Sequence, residues 1–241
     1  IRKADVLAAS KVPQRAAAMQ APAQQDYVEI PLSSMRRTIG RRLVESKAMA
    51  PHFRLSDDLV LDALFDLRRR MSESGVKASL NDLLIKASAH ALMAVPRVNV
   101  QFDGQTLRQF TDAHIAVAVS LDDGLITPVI RAANKKGIAA IAAEMADLAG
   151  RAREGRLGPD EFEGGTFSLS NLGMFGLRQF DAIINPPQGA ILAVGAARKT
   201  RIFNRNDVEV PARVMTVTLS CDHRVIDGAL GARFLQALKR F

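Results

Sequence analysis

The sequence predicts an α/β fold, a mixed and largely antiparallel sheet with flanking helices. Three observations predict it. Apolar residues recur at helical spacing in several long segments and alternate or run continuously in shorter ones. "FDGQ" and "LDDGL" set Asp-Gly turns between apolar runs, the mark of hairpins rather than of doubly wound crossovers. Finally, 48% of the 241 residues are hydrophobic, ample for a packed core.

The elements follow in order. "IRKADVLAA" (1–9) reads as the end of a helix, and the Ala-, Gln- and Pro-rich stretch 10–26 as a linker, so the main domain is expected over 27–241. Ser33 or Ser34 caps a helix in which Met35, Ile39, Leu43 and Val44 recur at helical spacing, and Pro51 ends it. "HFRLSDDLVL" alternates as a strand. "LDALFDLRRRMSES" and "SLNDLLIKASAHALMAV" are helices, the second capped by Ser79 and stopped before Pro96. "VNVQFDGQTLRQF" makes a short hairpin and "HIAVAVSLDDGLITPVI" two longer strands around its turn. After the helix "GIAAIAAEMADLAGRAREG" come three more strands, in "GGTFSLSNLG", "GAILAVGAARKTRIF" and "ARVMTVTLSCD", and a last helix beyond Gly228.

Charge and composition exclude several functions. The formal net charge is +8, but it is dispersed, and the densest groups (Arg36, Arg37, Arg41, Arg42 and Arg68–Arg70) sit in helical segments with few aromatics beside them to stack bases. These are solvated helix faces, and no nucleic-acid partner is expected. No run approaches the roughly 20 apolar residues of a membrane span, so no membrane partner is expected either. Cys221 is the single cysteine and cannot form an internal disulfide, which suits a reducing compartment such as the bacterial cytoplasm or a mitochondrial matrix. His52, His90 and His114 have no paired metal-ligand spacing, so no metal is expected. "GGTFSLSNLG" has neither glycine order that cradles a phosphate.

"LSCDHRVIDGALGARFL" is different. Here an apolar strand ends at His223, flanked by carboxylates and an arginine, and a helix starts after Asp227 and Gly228. An imidazole at a rigid strand end is a usable base near neutrality. Taken alone, a histidine there is more often a hydrogen-bonded structural group. Cys221 beside it reads as buried packing.

These residues resemble a family, the dihydrolipoamide acyltransferase core of the 2-oxo acid dehydrogenase complexes, which has the chloramphenicol acetyltransferase-like fold. The resemblance runs over about 27–241, through "PLSSMRRTIGRRLVESKAMAPHF", "ASLNDLLIKASAHAL", "VAVSLDDGLITPVIRAANKKGIAAIAAEM", "GGTFSLSNLGMFGLRQFDAIINPPQGAILAVG" and "DHRVIDGALGARFL". It implies a two-layer sandwich in a trimer, with the active site between subunits. It casts His223 as general base, Ser170 as oxyanion donor and Asp227 as an orienting residue tied to an arginine, Arg36 or Arg37, with Arg36 the choice. Ser168 shares a sheet face with Ser170 and is the obvious wrong serine. "GLITPVI" and 171–176 are expected to line a substrate channel, through Ile126, Thr127, Asn171 and Met174.

The implied reaction moves an acyl group between a dihydrolipoyl thiol and coenzyme A, most closely as in acetyl-transferring pyruvate complexes. Acetoin or branched-chain complexes and a noncatalytic scaffold homologue are the alternatives. Coenzyme A is then a substrate, and the lipoyl group rides on upstream domains. The implied partners are two further copies of the chain, the larger cubic or dodecahedral cores into which such trimers stack, and decarboxylase and dihydrolipoamide dehydrogenase subunits held by an upstream binding domain. The helix end at 1–9 is similar to a remnant of that domain.

Overall fold

The computed structural model describes residues 26–241 apart from Arg205. The binding-domain remnant expected at 1–9 and the linker at 10–26 lie, except for Asp26, outside the described residues. By its contacts the chain divides between Leu32 and Ser33, and the larger unit, Ser33–Phe241, holds every described helix and strand.

Ser33 opens helix α1 (Ser34–Met49), its hydroxyl accepting from the Arg36 amide. Strand β1 (His52–Val60) and helices α2 (Asp62–Glu73) and α3 (Leu80–Ala94) come next. The α3 start is a capping box, in which Ser79 and Asp82 each bond the other's backbone amide. Strands β2 (Val100–Phe102) and β3 (Leu107–Gln109) form the first predicted hairpin.

The two long strands expected around "LDDGL" are each broken in two. Strands β4 (Ile115–Val117) and β7 (Val129–Ile130) pair in the main sheet, whereas β5 (Val119–Leu121) and β6 (Gly124–Ile126) form a separate hairpin. Pro128 stands at one break, where it has no amide to offer a ladder, and at the other the Ala118 amide turns to the Leu169 carbonyl. The hairpin turn is pinned under α1: Gly124 has φ +150°, and a Cβ there would lie 3.1 Å from Ile39 Cδ1.

Helices α4 (Ile138–Arg153) and α5 (Pro159–Phe162) are joined by Arg151, which grips Glu161 and Asp147. The Arg151 guanidinium and the Gly158 amide hold the Glu161 carboxyl down at about 2. Strands β8 (Phe167–Asn171), β9 (Ala190–Val194), β10 (Arg198–Phe203) and β11 (Glu209–Asp222) complete the sheet, and helix α6 (Gly228–Arg240) closes the chain. The strand expected over "GAILAVGAARKTRIF" is split at Gly195, where a Cβ would strike the Arg178 carbonyl oxygen of a crossing loop.

The sheet order is β1-β11-β9-β8-β4-β7, with β10 continuing along β11. The β9-β8-β4 run is parallel and the other pairings are antiparallel, the mixed sheet that was expected. Helices α3, α4 and α6 form the second layer, and their apolar faces meet one face of the sheet in a single core. Within it Phe234 of α6 packs against Phe167 of β8 with ring centroids 5.2 Å apart. No described helix is long and apolar enough to cross a membrane.

Candidate active site

His223 directly succeeds the last residue of β11. Its amide donates to the Pro51 carbonyl at 3.0 Å, and its exposed ring tilts against Phe53 at 4.6 Å between centroids. The turn beneath it is held by its neighbours. Asp222, 4% exposed, accepts from both the amide and the guanidinium of Arg224, which also lies over Phe102 at 4.9 Å. Two flanking charges thus neutralise each other and fix the turn, and the imidazole alone projects.

Asp227 is the N-cap of α6, its carboxylate accepting from the Leu230 amide at 2.7 Å. The expected bond to Arg36 is not formed within the chain. Arg36 pairs instead with Asp123 at 2.9 Å, because the Ser33 cap places the first turn of α1 over the hairpin turn at 122–123. The Ser33 hydroxyl and the Arg36 guanidinium hold the Asp123 carboxyl below the usual range.

Ser168 and Ser170 point to the same face of β8, as alternation requires. Their fates differ. Ser168 is 2% exposed and its hydroxyl is committed to Gln188 Oε1 at 2.5 Å. The Ser170 hydroxyl has no hydrogen-bond partner among the described residues and opens into a cavity of about 590 Å³ between α1, β6 and the sheet. Met35 and Ile39 of α1, Leu125 and Ile126 of β6, and Phe180 make that cavity apolar. Among the described residues, Arg42 is the one charged side chain that lines it.

Of the four channel residues expected, Ile126 and Thr127 line this cavity, whereas Asn171 and Met174 do not. Asn171 is spent on the turn after β8: its amide donates to Asn81 and its carbonyl oxygen accepts from the Gly173 amide. Met174 is 75% exposed on the next turn. Residues of α1 and the 180–185 segment carry more of the wall than the sequence suggested, since only the packing of α1 across the sheet brings them there.

Ser170 and His223 do not meet within one chain. Ser170 pairs with Ala193, and Ala193 with Thr218. Thr218 precedes His223 by five residues, on the order of 15 Å along a strand. The hydroxyl and the imidazole therefore stand on the order of 15 Å apart along the sheet.

The other nucleophilic and ligand-type groups are accounted for. Burial pushes the Cys221 thiol up to about 12 and it packs in the core. His114 Nδ1 accepts from the Ala132 amide, and burial, together with the nearby Arg131, holds this imidazole below its ordinary range. Burial and Lys86 do the same for His90. No group of three metal-ligating side chains occurs among the described residues.

Comparison with known proteins identifies the family. The chain is 52% identical over 214 residues to the dihydrolipoyllysine-residue acetyltransferase component of the pyruvate dehydrogenase complex of Zymomonas mobilis, covering 87% of this chain and 48% of that protein. The chain spans about half the length of the curated relatives it matches. A structure of Azotobacter vinelandii dihydrolipoamide acetyltransferase, studied for the role of a serine, a histidine and an asparagine in its catalytic mechanism, superposes with a TM-score of 0.85 at 34% identity. The match covers 90% of this chain and 91% of that one. Chloramphenicol acetyltransferase, at 13% identity over 83% of this chain and 92% of that one and a TM-score of 0.56, shares the fold. The model of the 2-oxoacid dehydrogenases acyltransferase (catalytic domain) family matches residues 24–241, and the chain belongs to that family.

Proposed function

We propose that this chain is the catalytic core of a dihydrolipoamide acetyltransferase, moving an acetyl group between a dihydrolipoyl thiol and coenzyme A. The observation that carries the reading is the Ser170 hydroxyl, which has no partner among the described residues and opens into an apolar cavity, while the Ser168 hydroxyl on the same face is bonded to Gln188. A free thiol has a pKa of about 8.5, so attack at neutral pH needs a base. His223 takes the thiol proton, and the sulfur attacks the thioester carbonyl carbon. Negative charge moves to the carbonyl oxygen, where the Ser170 hydroxyl donates to it. Collapse of the tetrahedral species expels the other sulfur, which recovers the proton from the imidazolium.

Because the base and the hydroxyl stand on the order of 15 Å apart along one sheet, the site is completed by a neighbouring copy: His223 of one subunit faces Ser170 of the next in a homotrimer. Asp227 caps the helix that succeeds the base and so holds its loop. Arg42, the one cation among the described residues of the cavity wall, suits a substrate that bears phosphates. The lipoyl group is carried by another domain, and trimers join a larger core that serves a decarboxylase and a dihydrolipoamide dehydrogenase. The setting is the bacterial cytoplasm or the mitochondrial matrix.

The test is acetyl transfer from acetyl-coenzyme A to free dihydrolipoamide by the assembled protein, with succinyl-coenzyme A as competitor. His223→Ala is expected to lower kcat by about 10³-fold, within the range of general-base losses, and to leave the trimer and its melting temperature unchanged. Transfer of succinyl in preference to acetyl would redirect the reading to a different acyl class. An intact trimer with no transfer at all would leave a noncatalytic scaffold.

A further inference from the structure

The short connection between α1 and β1 is bonded more heavily than a turn requires. His52 Nδ1 lies 2.8 Å from the Ala50 carbonyl oxygen, and its Nε2 lies 3.1 Å from the Ile184 amide nitrogen. A backbone amide only donates, so Nε2 accepts, and the ring proton stands on Nδ1, where it is donated to Ala50. Two backbone partners thus hold His52 in one tautomer and one ring orientation. The Ile184 carbonyl is taken as well, by the Ser46 hydroxyl at 2.6 Å. Both backbone groups of Ile184, a residue only 1% exposed, are therefore bonded by side chains from the α1–β1 region.

The residues on either side of these bonds have work of their own. Ile183 and Asn185 flank Ile184, and both line the cavity that Ser170 opens into. Pro51 and Phe53 flank His52. The first accepts the His223 amide and the second carries the His223 ring. His52 itself lies opposite Asp222 in the β1–β11 ladder, one residue before the base.

We propose that His52 is a positioning residue for acyl transfer, tying the 183–185 wall of the Ser170 cavity to the 51–53 platform that holds His223. The inference rests on the acyl-transfer reading given above. His52 touches no reacting atom and acts through its two neighbours. Such a link matters because a misplacement of about 1 Å at reacting groups costs about 10²-fold in rate. Histidine suits this role, since a ring of this size that donates at one nitrogen and accepts at the other is available in no other side chain. A leucine or phenylalanine fills the volume and leaves the Ile184 amide and the Ala50 carbonyl without this partner.

Two substitutions separate the two bonds. In His52→Gln the side-chain oxygen reaches the place of Nε2 and still accepts from Ile184. In His52→Asn the side-chain nitrogen reaches the place of Nδ1 and bonds Ala50 alone. Hydrogen exchange at the Ile184 amide and steady-state acetyl transfer are measured on the assembled protein. For His52→Gln, slow exchange and a kcat/KM within about threefold of the parent are expected; for His52→Asn, exchange at least about tenfold faster and a kcat/KM lower by about tenfold. Ser46→Ala, which loosens the same wall from its other bond, is expected to shift kcat/KM in the same direction as His52→Asn. Equal kcat/KM losses in the Gln and Asn variants overturn the proposal, and so does an Asn variant with fast exchange and unaltered kinetics. His223→Ala, run in parallel, reads the acyl-transfer chemistry separately: full activity there removes that chemistry, while the Ile184 exchange still reports the link.

Discussion

The two faces of the central sheet carry different information on alternate residues of the same strands. Across β8, β9 and β11, one rung reads Leu169, Leu192 and Leu219, and all three lie in the core beneath the helices. The adjacent rungs read Ser168, Ile191, Ser220 and Ser170, Ala193, Thr218. The first face is uniformly apolar, and each residue's contribution is burial. The second face bears hydroxyls and faces α1, β6 and the 180–185 segment across a cavity. One side of the sheet is packed core and the other borders a cavity, so on the proposed acyl-transfer reading substitutions one residue apart are expected to fail in different ways.

The sharpest break is on the helix-covered face. Phe234→Ala, which removes the ring packed on Phe167, is expected to cost about 3–5 kcal/mol in denaturant unfolding. Activity per folded molecule should be unchanged. On the other face, Ser170→Ala is expected to lower kcat by about 10²–10³-fold, as the loss of other oxyanion donors does, with an unaltered melting curve. Its neighbour on that face inverts the pattern. Ser168→Ala strands the Gln188 side-chain oxygen in a buried site and is expected to cost about 1–3 kcal/mol of stability, with a kcat loss well below that of Ser170→Ala. If both serines fail alike, the distinction between a committed and an open hydroxyl is wrong.

The smallest effect lies outside the sheet, at the Arg151–Glu161 clamp. The Glu161 pKa is depressed to about 2 by Arg151 and the Gly158 amide. A depressed carboxyl contributes stability above its unfolded pKa of about 4.3, and that contribution is lost as pH falls from there through 2. Glu161→Gln is therefore expected to lower the melting temperature slightly at pH 7 and by clearly less near pH 2, where half of the carboxyls are protonated, which thermal melts at the two pH values check.

Much of this was legible in the sequence, and the failures share a cause. Helix caps are local, so Ser79 was placed outright and the first helix was narrowed to Ser33 or Ser34, of which Ser33 is the cap. Alternation is local too, and it put Ser168 and Ser170 on one face. The breaks at Ala118 and Gly195 depended on partners distant in the chain, the Leu169 and Arg178 carbonyls, whereas the break at Pro128 follows from the proline itself. Arg36 was misassigned for the same reason: its acidic partner is chosen by how α1 lies over a hairpin 87 residues away. Residue chemistry alone also could not distinguish the two serines, because the difference lies in Gln188, 20 residues on, which takes the Ser168 hydroxyl.

The distance between Ser170 and His223 along one chain has a consequence for how activity is controlled. If each site takes one residue from each of two neighbours, an isolated chain is silent, and activity below the assembly threshold rises as a steep power of protein concentration. Dilution then switches the reaction off without any inhibitor. In that arrangement a chain without its neighbours is inactive, and turnover is set by mass action among identical copies.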